Sequence, residues 1–446
     1  METPIIDFVM QYANGNKRRL HMPGHKGQSF LGPEKFDITE IDGADVLYSE
    51  NGIIAESENN ATRIFGTGKT LYSAGGSSLS VRAMLYLVTL YARNCGKENL
   101  IAAFRNVHKT YVTASSLLDF DTVWLYPAES QGIASCIITP EEVDAKISSM
   151  KKKPAALYVT SPDYLGNIAD IAGLSHVCKK HGMLLAVDNA HGAYLNFLPE
   201  NIHPMALGAD ICCDSAHKTL PVLTGGGYLH ISKNAPCEIL ENAQRAMMNF
   251  ASTSPSYLIL QSLDLANKYV TDGYCERLAD FCTKVSELKR VLKDAGFVLC
   301  GNEPLKITVK TKPHGYCGEE FARMLEKSGI VCEFCDPDHT VLMLTPQNEC
   351  DLEEVKKAFL SIERRDCVIT ENAPSAAHPK SVLSPRECLF LNGTEVNAKK
   401  SLGKILCDLS VSCPPAIPIA VCGEVIDGNV MALFEYYGIK TVRVTE

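Results

Sequence analysis

The residues best suited to covalent chemistry lie in residues 209–220, where an apolar run ends abruptly in Asp214-Ser-Ala-His-Lys218. The run predicts a short buried strand, so the amine of Lys218 is predicted to lie at the carboxyl end of that strand. Open α/β sheets bind their ligands at that end. A lysine in a crowded, partly dry site gives up its proton more readily and can attack a carbonyl. We therefore interpret Lys218 as a Schiff-base lysine; the alternative is a surface lysine in a loop.

Three more polar segments follow predicted strands in the same way. They are Arg105-Asn-Val-His108-Lys109, Ser161-Pro-Asp-Tyr164-Leu-Gly166 and Asp188-Asn-Ala-His191-Gly192. Five short buried strands are predicted, at residues 100–104, 122–126, 155–160, 183–187 and 210–213, with helical runs between them. This alternation is typical of a largely parallel sheet covered on both faces. The polar ends of such strands converge on one crevice.

An anion site is predicted at Gly75-Gly-Ser-Ser78, directly before residues whose apolar side chains recur at helical spacing. Glycines and hydroxyls at the amino end of a helix bind phosphate well, because free N–H groups point at the ligand and paired glycines let it approach the backbone. The alternative is simple capping of the helix by serine.

A second glycine-rich segment, Gly66-Thr-Gly-Lys-Thr70, resembles a nucleotide-binding P-loop only in part. That motif needs a glycine six residues before its lysine, and Arg63 stands there. Nucleotide hydrolysis is therefore not supported.

Composition excludes several classes of partner. The chain has 446 residues and a formal net charge of -9, so no basic face is available to neutralise a nucleic-acid backbone. No run of about 18 apolar residues suggests membrane insertion or secretion, and a cytoplasmic location is expected.

The 18 cysteines are scattered through apolar runs, which favours reduced thiols. A single Cys332-Glu-Phe-Cys335 pair, and two histidines separated by Pro23-Gly24, predict no metal site.

The chain is predicted to divide into an arm at residues 1–45, a large domain at 46–292, a small α/β domain at 293–370 and a C-terminal region at 371–446. The small domain has predicted strands at 305–310 and 341–344 around a helix at 318–327. The polar residues 371–379 are predicted to form a linker. A helix is predicted at 394–406.

Seven motifs together identify a family. The chain resembles the pyridoxal-phosphate-dependent ornithine/lysine/arginine decarboxylases, which have the aspartate-aminotransferase-like fold, and it is similar to their compact form without an N-terminal receiver-like domain. The resemblance extends from about Leu20 to Ile426. The motifs are His21-Met-Pro-Gly-His-Lys26, Asp37-x-Thr-Glu40, Arg105-Asn-x-His-Lys109, Asp188-x-Ala-His191, Asp214-Ser-x-His-Lys218, Thr253-Ser-Pro-Ser-Tyr257 and Pro414-Pro-x-Ile-Pro418.

This resemblance implies the fold, the cofactor and the role of each site residue. The fold would be α/β, with a large pyridoxal-phosphate-binding domain of fold type I, a mainly parallel sheet covered by helices, and a smaller C-terminal α/β region. Lys218 would bind the cofactor, Asp188 would pair with its pyridine nitrogen, and His108 would stack on its ring. His217 would orient the departing carboxylate or the lysine. The remaining implied cofactor contacts are Gly76, Ser77, Ser78, His191, Ser215 and Thr253.

The implied reaction is decarboxylation of a basic amino acid, arginine ahead of lysine and ornithine, to a polyamine-type amine. Such a substrate needs a carboxylate partner for its cationic end, and Glu424 and Asp45 are the candidates. The family also implies a homodimer with shared active sites and a role in polyamine biosynthesis. Alternatives are transamination or elimination on the same cofactor, or a non-catalytic regulatory homologue. Cys413, Ala416 and Cys422 depart from the family pattern, which leaves substrate identity open.

Overall fold

A computed structural model of the chain describes residues 1–49, 51–128, 132–371, 373–376, 378–413 and 417–445. Its large sheet consists of β1 (Lys69–Ser73), β2 (Leu100–Phe104), β3 (Asp121–Leu125), β4 (Ala156–Thr160), β5 (Leu184–Asp188), β6 (Ile211–Asp214) and β7 (Gly227–Ile231). The strand order is β1-β7-β6-β5-β4-β2-β3. The fold is thus α/β with a large, mainly parallel sheet, which confirms the predicted fold class.

All five strands predicted between residues 100 and 213 are present, with bounds within one residue of those expected. The pairs β2–β3 and β5–β6 are parallel, whereas β7 is antiparallel to both β6 and β1. Every residue of β5 and β6 is buried. Strands buried on both faces are nearly continuous apolar runs, which is why the sequence predicted them well.

The α-helices lie before, between and after these strands. They are α1 (Pro4–Asn14), α2 (Ile53–Phe65), α3 (Gly76–Asn94), α4 (Lys109–Leu118), α5 (Pro140–Ser149), α6 (Ile171–His181), α7 (Ala216–Thr219), α8 (Cys237–Glu241), α9 (Ala243–Met248), α10 (Tyr257–Thr271), α11 (Tyr274–Asp294), α12 (Gly318–Lys327), α13 (Leu352–Leu360), α14 (Pro385–Leu389) and α15 (Gly428–Tyr436). Within the described ranges, no helix combines the length and the apolar character needed to cross a membrane.

Two compact units make up the chain. The first unit contains Met1–Glu98, Pro154–Tyr158 and Ile171–Glu276, and the second contains Asn99–Lys153, Val159–Asp170 and Arg277–Glu446. The predicted domain boundaries after residues 45, 292 and 370 stay predictions.

In the second unit, a small sheet has the order β10-β11-β9-β8, where β8 is Val298–Cys300, β9 is Lys306–Lys310, β10 is Phe334–Cys335 and β11 is His339–Met343. The predicted helix at 318–327 and both predicted strands are confirmed. The last strands pair as β12 (Thr394–Asn397) with β15 (Thr441–Val444), and as β13 (Ser410–Cys413) with β14 (Ile417–Val421). Residues 414–416, including Ala416, and parts of the predicted linker lie outside the described residues.

The helix predicted at 394–406 is wrong. Residues 394–397 form β12, which is antiparallel to β15. Thr394 and Val396 are β-branched and favour a strand once a partner strand is present. The Asn397 side chain then accepts from the Lys399 N–H at 3.0 Å and starts a single short turn, Ala398–Lys400, which ends before Gly403 at φ 76°.

A buried carboxylate holds the N-terminal helix in the first unit. The Asp264 Oδ2 atom, on α10, accepts from the N–H groups of Ile5 at 2.9 Å and Ile6 at 3.1 Å. The Ser57 hydroxyl, on α2, donates to the other Asp264 oxygen. The first N–H groups of a helix have no partner within the helix, so Asp264 satisfies two donors that burial would otherwise leave unpaired.

Candidate active site

In the first unit, Lys218 lies on the four-residue helix α7, directly after β6. Its Nζ atom is 2.8 Å from Nε2 of His191, which follows the neighbouring parallel strand β5. The predicted convergence of these two strand ends is therefore observed. The pair joins a nucleophilic amine to an imidazole that can accept or return its proton.

Asp188 is the last residue of β5, and its carboxylate is fixed by its neighbours. The Tyr158 hydroxyl, on β4, donates to Asp188 Oδ2 at 3.0 Å. The Ala190 N–H donates to Oδ1 at 3.3 Å, and the Cys213 thiol approaches the same oxygen at 3.6 Å. Asp188 and Tyr158 are both buried. A carboxylate with this little freedom is suited to hold one positively charged partner in a defined place.

The predicted anion site lies at the amino end of α3, which begins at Gly76. Gly76 has φ 67°, and its N–H donates to the Gly225 carbonyl at 2.7 Å. A side chain at Gly227 would come within 2.7 Å of the Asp214 carbonyl oxygen, so only glycine fits where β7 begins. Ser77 and Ser78 follow in the first turn, at the helix end whose dipole favours an anion.

Of the other predicted contacts of the first unit, His217 directly precedes Lys218 and Ser215 lies three residues before it. The buried Ser215 hydroxyl has no hydrogen-bond partner among the described residues. The His217 Nδ1 atom is 2.8 Å from the Gly226 carbonyl, which fixes the ring against the glycine run. Thr253 is exposed, before α10. Their roles toward the cofactor stay predictions.

In the second unit, His108 caps the amino end of α4. Its Nδ1 atom accepts from the Thr110 N–H at 3.2 Å and lies 2.8 Å from the Thr110 hydroxyl. The imidazole therefore has a fixed orientation after β2, as a ring that stacks on another ring requires. Stacking of His108 on the cofactor stays a prediction.

Glu424, the first candidate for the substrate carboxylate, forms a buried ion pair in the second unit. Its Oε2 atom is 2.9 Å from Arg105 Nη2 and accepts from the Val421 N–H at 2.7 Å. The Arg105 guanidinium lies 4.8 Å from the ring centre of Trp124. Burial raises the pKa of Glu424, and the Arg105 charge opposes that change. The Oε1 atom has no partner among the described residues.

Asp45, the second candidate, caps α2 in the first unit. Its Oδ2 atom accepts from the N–H groups of Gly52 at 2.9 Å and Ile54 at 3.0 Å, and its Oδ1 atom accepts from that of Asn51 at 3.1 Å. Burial acts to raise the pKa of Asp45, but these donors outweigh it and hold the pKa below its ordinary value. Both Asp45 oxygens thus accept hydrogen bonds from backbone N–H groups. The substrate role of Asp45 stays a prediction, and the alternative is that it only caps α2.

Replacing Asp45 with alanine is expected to lower the free energy of unfolding by about 2 kcal/mol, because a charged acceptor of several helix N–H groups is lost. Urea unfolding of the variant, beside Asp42→Ala as the exposed control, measures this. Equal stability of the two variants would contradict the capping role, and an unchanged stability with a raised KM would favour substrate binding.

The donor set of the first unit fits pyridoxal phosphate. Lys218 supplies an amine for the cofactor's aldehyde, and Asp188 supplies a buried carboxylate for its pyridine nitrogen. The amino end of α3 and the unpartnered Ser215 hydroxyl supply donors for its phosphate. Bound there, the cofactor would provide an electron sink next to the lysine.

The sequence predicts no metal site, yet two groups of imidazole and carboxylate side chains converge among the described residues. In the second unit, Asp336 accepts from the N–H groups of Asp338 and His339, and Lys312 pairs with Asp338 at 2.9 Å. These contacts already use the acceptors of that group. The other group, in the first unit, consists of His203, Asp214 and His230.

Sequence reasoning missed the residues that support the site. From the sequence, Tyr158 is only part of a predicted strand and Asn189 only part of a motif, and no pattern marks His203 or His230. One signal was present: Asp214 ends one buried strand and His230 lies inside the next, and buried polar residues in neighbouring strands need partners.

Residues 3–305 match the family described as Orn/Lys/Arg decarboxylase, major domain. The match covers more than half of the chain, and the chain therefore belongs to this family, as its motifs predicted. The enzyme class is accordingly a pyridoxal-phosphate-dependent amino-acid decarboxylase, and the predicted cofactor is confirmed.

Individual relatives agree along most of the chain. A Bacillus subtilis (strain 168) protein described as uncharacterized protein YaaO is 29% identical over 99% of this chain and 95% of its own length. An arginine decarboxylase of the same organism is 26% identical over 97% of this chain and 93% of its own length. The solved structure of lysine decarboxylase A from Pseudomonas aeruginosa has a TM-score of 0.82 and 16% identity, covering 99% of this chain and 80% of that one. At such identity the structural likeness concerns the fold alone.

Proposed function

We propose that this enzyme decarboxylates a basic amino acid, arginine ahead of lysine and ornithine, to CO2 and the corresponding polyamine-type amine. The observation that carries the proposal is the 2.8 Å contact between Lys218 and His191, beside the strand that ends in buried Asp188. The preference for arginine is supported by the relatives described as arginine decarboxylases, which match this chain over 95–97% of its length.

In this proposal, each residue of the site has one task. When bound, the cofactor would supply a protonated ring as an electron sink for decarboxylation. The Asp188 carboxylate keeps the proton on the pyridine nitrogen, because a nearby negative charge favours the protonated form. The Tyr158 hydroxyl keeps that carboxylate in place. Lys218 Nζ attaches the cofactor, and His191 Nε2 takes and returns the proton of the amine.

The cationic end of the substrate requires an acceptor, because a buried guanidinium without a partner costs several kcal/mol. Glu424 remains our first candidate, with its Oε1 atom directed to the substrate while Oε2 stays on Arg105. Retaining the Arg105 contact would keep the carboxylate in position during binding. Asp45 is second, since both of its oxygens already accept from backbone groups.

The function is tested by incubating purified protein and pyridoxal phosphate with arginine, lysine and ornithine in turn. Release of CO2 and of the matching amine is measured, and arginine is expected to have the highest kcat/KM. A keto acid or ammonia without CO2 would favour transamination or elimination. A protein that binds the cofactor but turns over none of the three would favour a regulatory homologue.

We also propose a cytoplasmic homodimer in polyamine biosynthesis, whose active sites are completed across a two-fold axis by Glu424 and the hydroxyls of Thr253 and Ser254. Thr253 and Ser254 are exposed in the single chain, which leaves them available to a second copy. A C2 interface brings the same segment of each chain to the partner, so two equivalent sites would form.

Mixing an inactive Lys218→Ala chain with an inactive Glu424→Gln chain is expected to restore about a quarter of the wild-type activity, because one site of each mixed dimer receives both native residues. Activity is measured after subunit exchange, with mixed dimers verified by tag capture. The matched control mixes Lys218→Ala with Asp188→Asn, which should restore nothing because both residues follow adjacent strands of one chain. Verified mixed dimers without recovery would show that Glu424 acts within its own chain or not at all.

A further inference from the structure

The carboxylate of Asp214 is the centre of a fully buried polar group in the first unit. Its Oδ2 atom is 3.0 Å from His203 Nε2 and 3.1 Å from His230 Nε2, and its Oδ1 atom accepts from the Asn189 amide at 2.7 Å. Asp214, His203 and His230 have no exposed surface. A carboxylate so deeply buried is stable only if its oxygens are hydrogen-bonded, and here both are.

The hydrogen bonds define which atoms carry protons. His203 Nδ1 accepts from the Met205 N–H at 3.3 Å, so its Nε2 carries the hydrogen that Asp214 accepts. Burial lowers the pKa of His230, whose Nδ1 lies 2.9 Å from the Thr70 hydroxyl. The two imidazoles and their hydrogen bonds outweigh burial and lower the pKa of Asp214. The group is therefore a carboxylate anion between two donors.

This arrangement differs from a metal site, although its residue types are those of a metal site. A metal-bound imidazole directs a lone pair at the ion, whereas His203 directs a hydrogen at Asp214. The Phe65 ring packs against both imidazoles, with ring centres 5.5 Å from His203 and 4.5 Å from His230. Asp214, His203 and His230 therefore form a rigid support from which water is excluded, because they are buried, hydrogen-bonded and packed against an aromatic ring.

This support connects the two strand ends that carry the chemistry. Asn189 directly follows Asp188, and its backbone N–H also donates to the Cys213 carbonyl at 2.9 Å. Asp214 precedes Lys218 by four residues, and the Lys218 N–H donates to the Ser215 carbonyl at 3.0 Å. The Asp214–Asn189 bond thus joins the turn after β5 to the turn after β6.

We propose that Asp214, held by His203 and His230, is a positioning residue that sets the separation between Asp188 and Lys218 through its bond to Asn189. This inference rests on the proposed roles of Asp188 and Lys218 toward pyridoxal phosphate. A site must hold its reacting groups within about 0.5 Å of their working geometry, so loss of the link affects the cofactor's contacts with both residues at once.

Two variants and one matched control test the proposal. Asp214→Asn removes the charge and places an amide against two N–H donors, while Asn189→Ala removes only the link and leaves the buried anion with both imidazoles. Asn189 Oδ1 has no partner among the described residues, and the Cys212 thiol stays 3.7 Å from Asp214 Oδ1, so the truncation leaves no second buried group unpaired. The control is Asp210→Asn, which lies just before β6 and bonds the Leu185 N–H at 2.8 Å.

The measurements are the dissociation constant of pyridoxal phosphate, the pH midpoint of the lysine-bound cofactor's absorption band, and thermal unfolding of the cofactor-free protein. Asp214→Asn and Asn189→Ala are expected to weaken cofactor binding about tenfold and to shift the band's midpoint. Asp210→Asn keeps an oxygen that can accept from Leu185 and is expected to leave both cofactor readouts unchanged, which separates loss of the link from neutralisation of an aspartate beside the same strands.

Cofactor affinity and band midpoint unchanged in Asn189→Ala would overturn the proposal, even if Asp214→Asn does not fold. About one tightly bound zinc per wild-type chain, detected by elemental analysis, would also overturn it in favour of a metal site. Failure of the proposed function has a different outcome, because the wild-type protein would then release no CO2 from arginine, lysine or ornithine, whatever the effect of Asn189→Ala on cofactor binding.

Discussion

Lys218→Ala is expected to have no turnover above background and no yellow absorbance once free cofactor is removed. Lys218 Nζ is the amine that the structure places at the end of β6, 2.8 Å from His191. Alanine leaves neither a nucleophile to attach the cofactor nor a proton carrier at that position. Absorbance spectra after dialysis and CO2 release from arginine measure the two losses.

The control for this prediction is Lys233→Ala, an exposed lysine just after β7, which should be indistinguishable from wild type. Borohydride reduction of the wild-type enzyme, followed by peptide mass spectrometry, should find the cofactor on Lys218. A Lys218→Ala variant that kept its absorbance, or a cofactor found on another lysine, would refute the assignment.

Asp188→Asn is expected to bind the cofactor and yet lose about 3 to 5 kcal/mol of transition-state stabilisation, which is two to four powers of ten in rate. The amide is isosteric and can keep the Tyr158 contact, but it is neutral and cannot hold the pyridine nitrogen protonated. The loss should therefore appear in kcat, while the cofactor content stays near one per chain.

Steady-state kinetics with cofactor-saturated protein measure this loss, with Asp210→Asn as the control for a neutralised aspartate beside the same pair of strands. Near-normal kcat in Asp188→Asn would contradict the proposed role of Asp188 in keeping the pyridine nitrogen protonated. A variant that simply lost the cofactor would show binding rather than ring protonation as the task of Asp188.

The strand ends that carry the chemistry were predictable from sequence because each follows a short apolar run. Both faces of β5 are buried, so its sequence is a continuous apolar run rather than an alternating one. Asp188 and Asp214 are the first charged residues at the ends of the β5 and β6 runs, and Lys218 follows Asp214 by four residues. The contact between Lys218 and His191 follows from the parallel pairing of β5 and β6, which the predicted sheet already implied.

Long-range hydrogen bonds were not predictable in this way. Asp45 was chosen as a substrate carboxylate for its charge, but nothing in the local sequence shows that its oxygens face the amino end of α2. The failed helix at 394–406 has a similar cause, because β12 depends on a partner strand more than 40 residues away. Secondary-structure propensity depends on residues close in sequence, so it contains no information about either distant partner.

The contact between α1 and Asp264 bears on how the protein should be handled in the laboratory. Trimming the first 14 residues would remove the two N–H donors of Ile5 and Ile6 and leave a buried carboxylate with fewer partners. A shortened chain would then unfold more easily for reasons unrelated to catalysis. A loss of activity after N-terminal trimming should therefore first be checked against thermal stability.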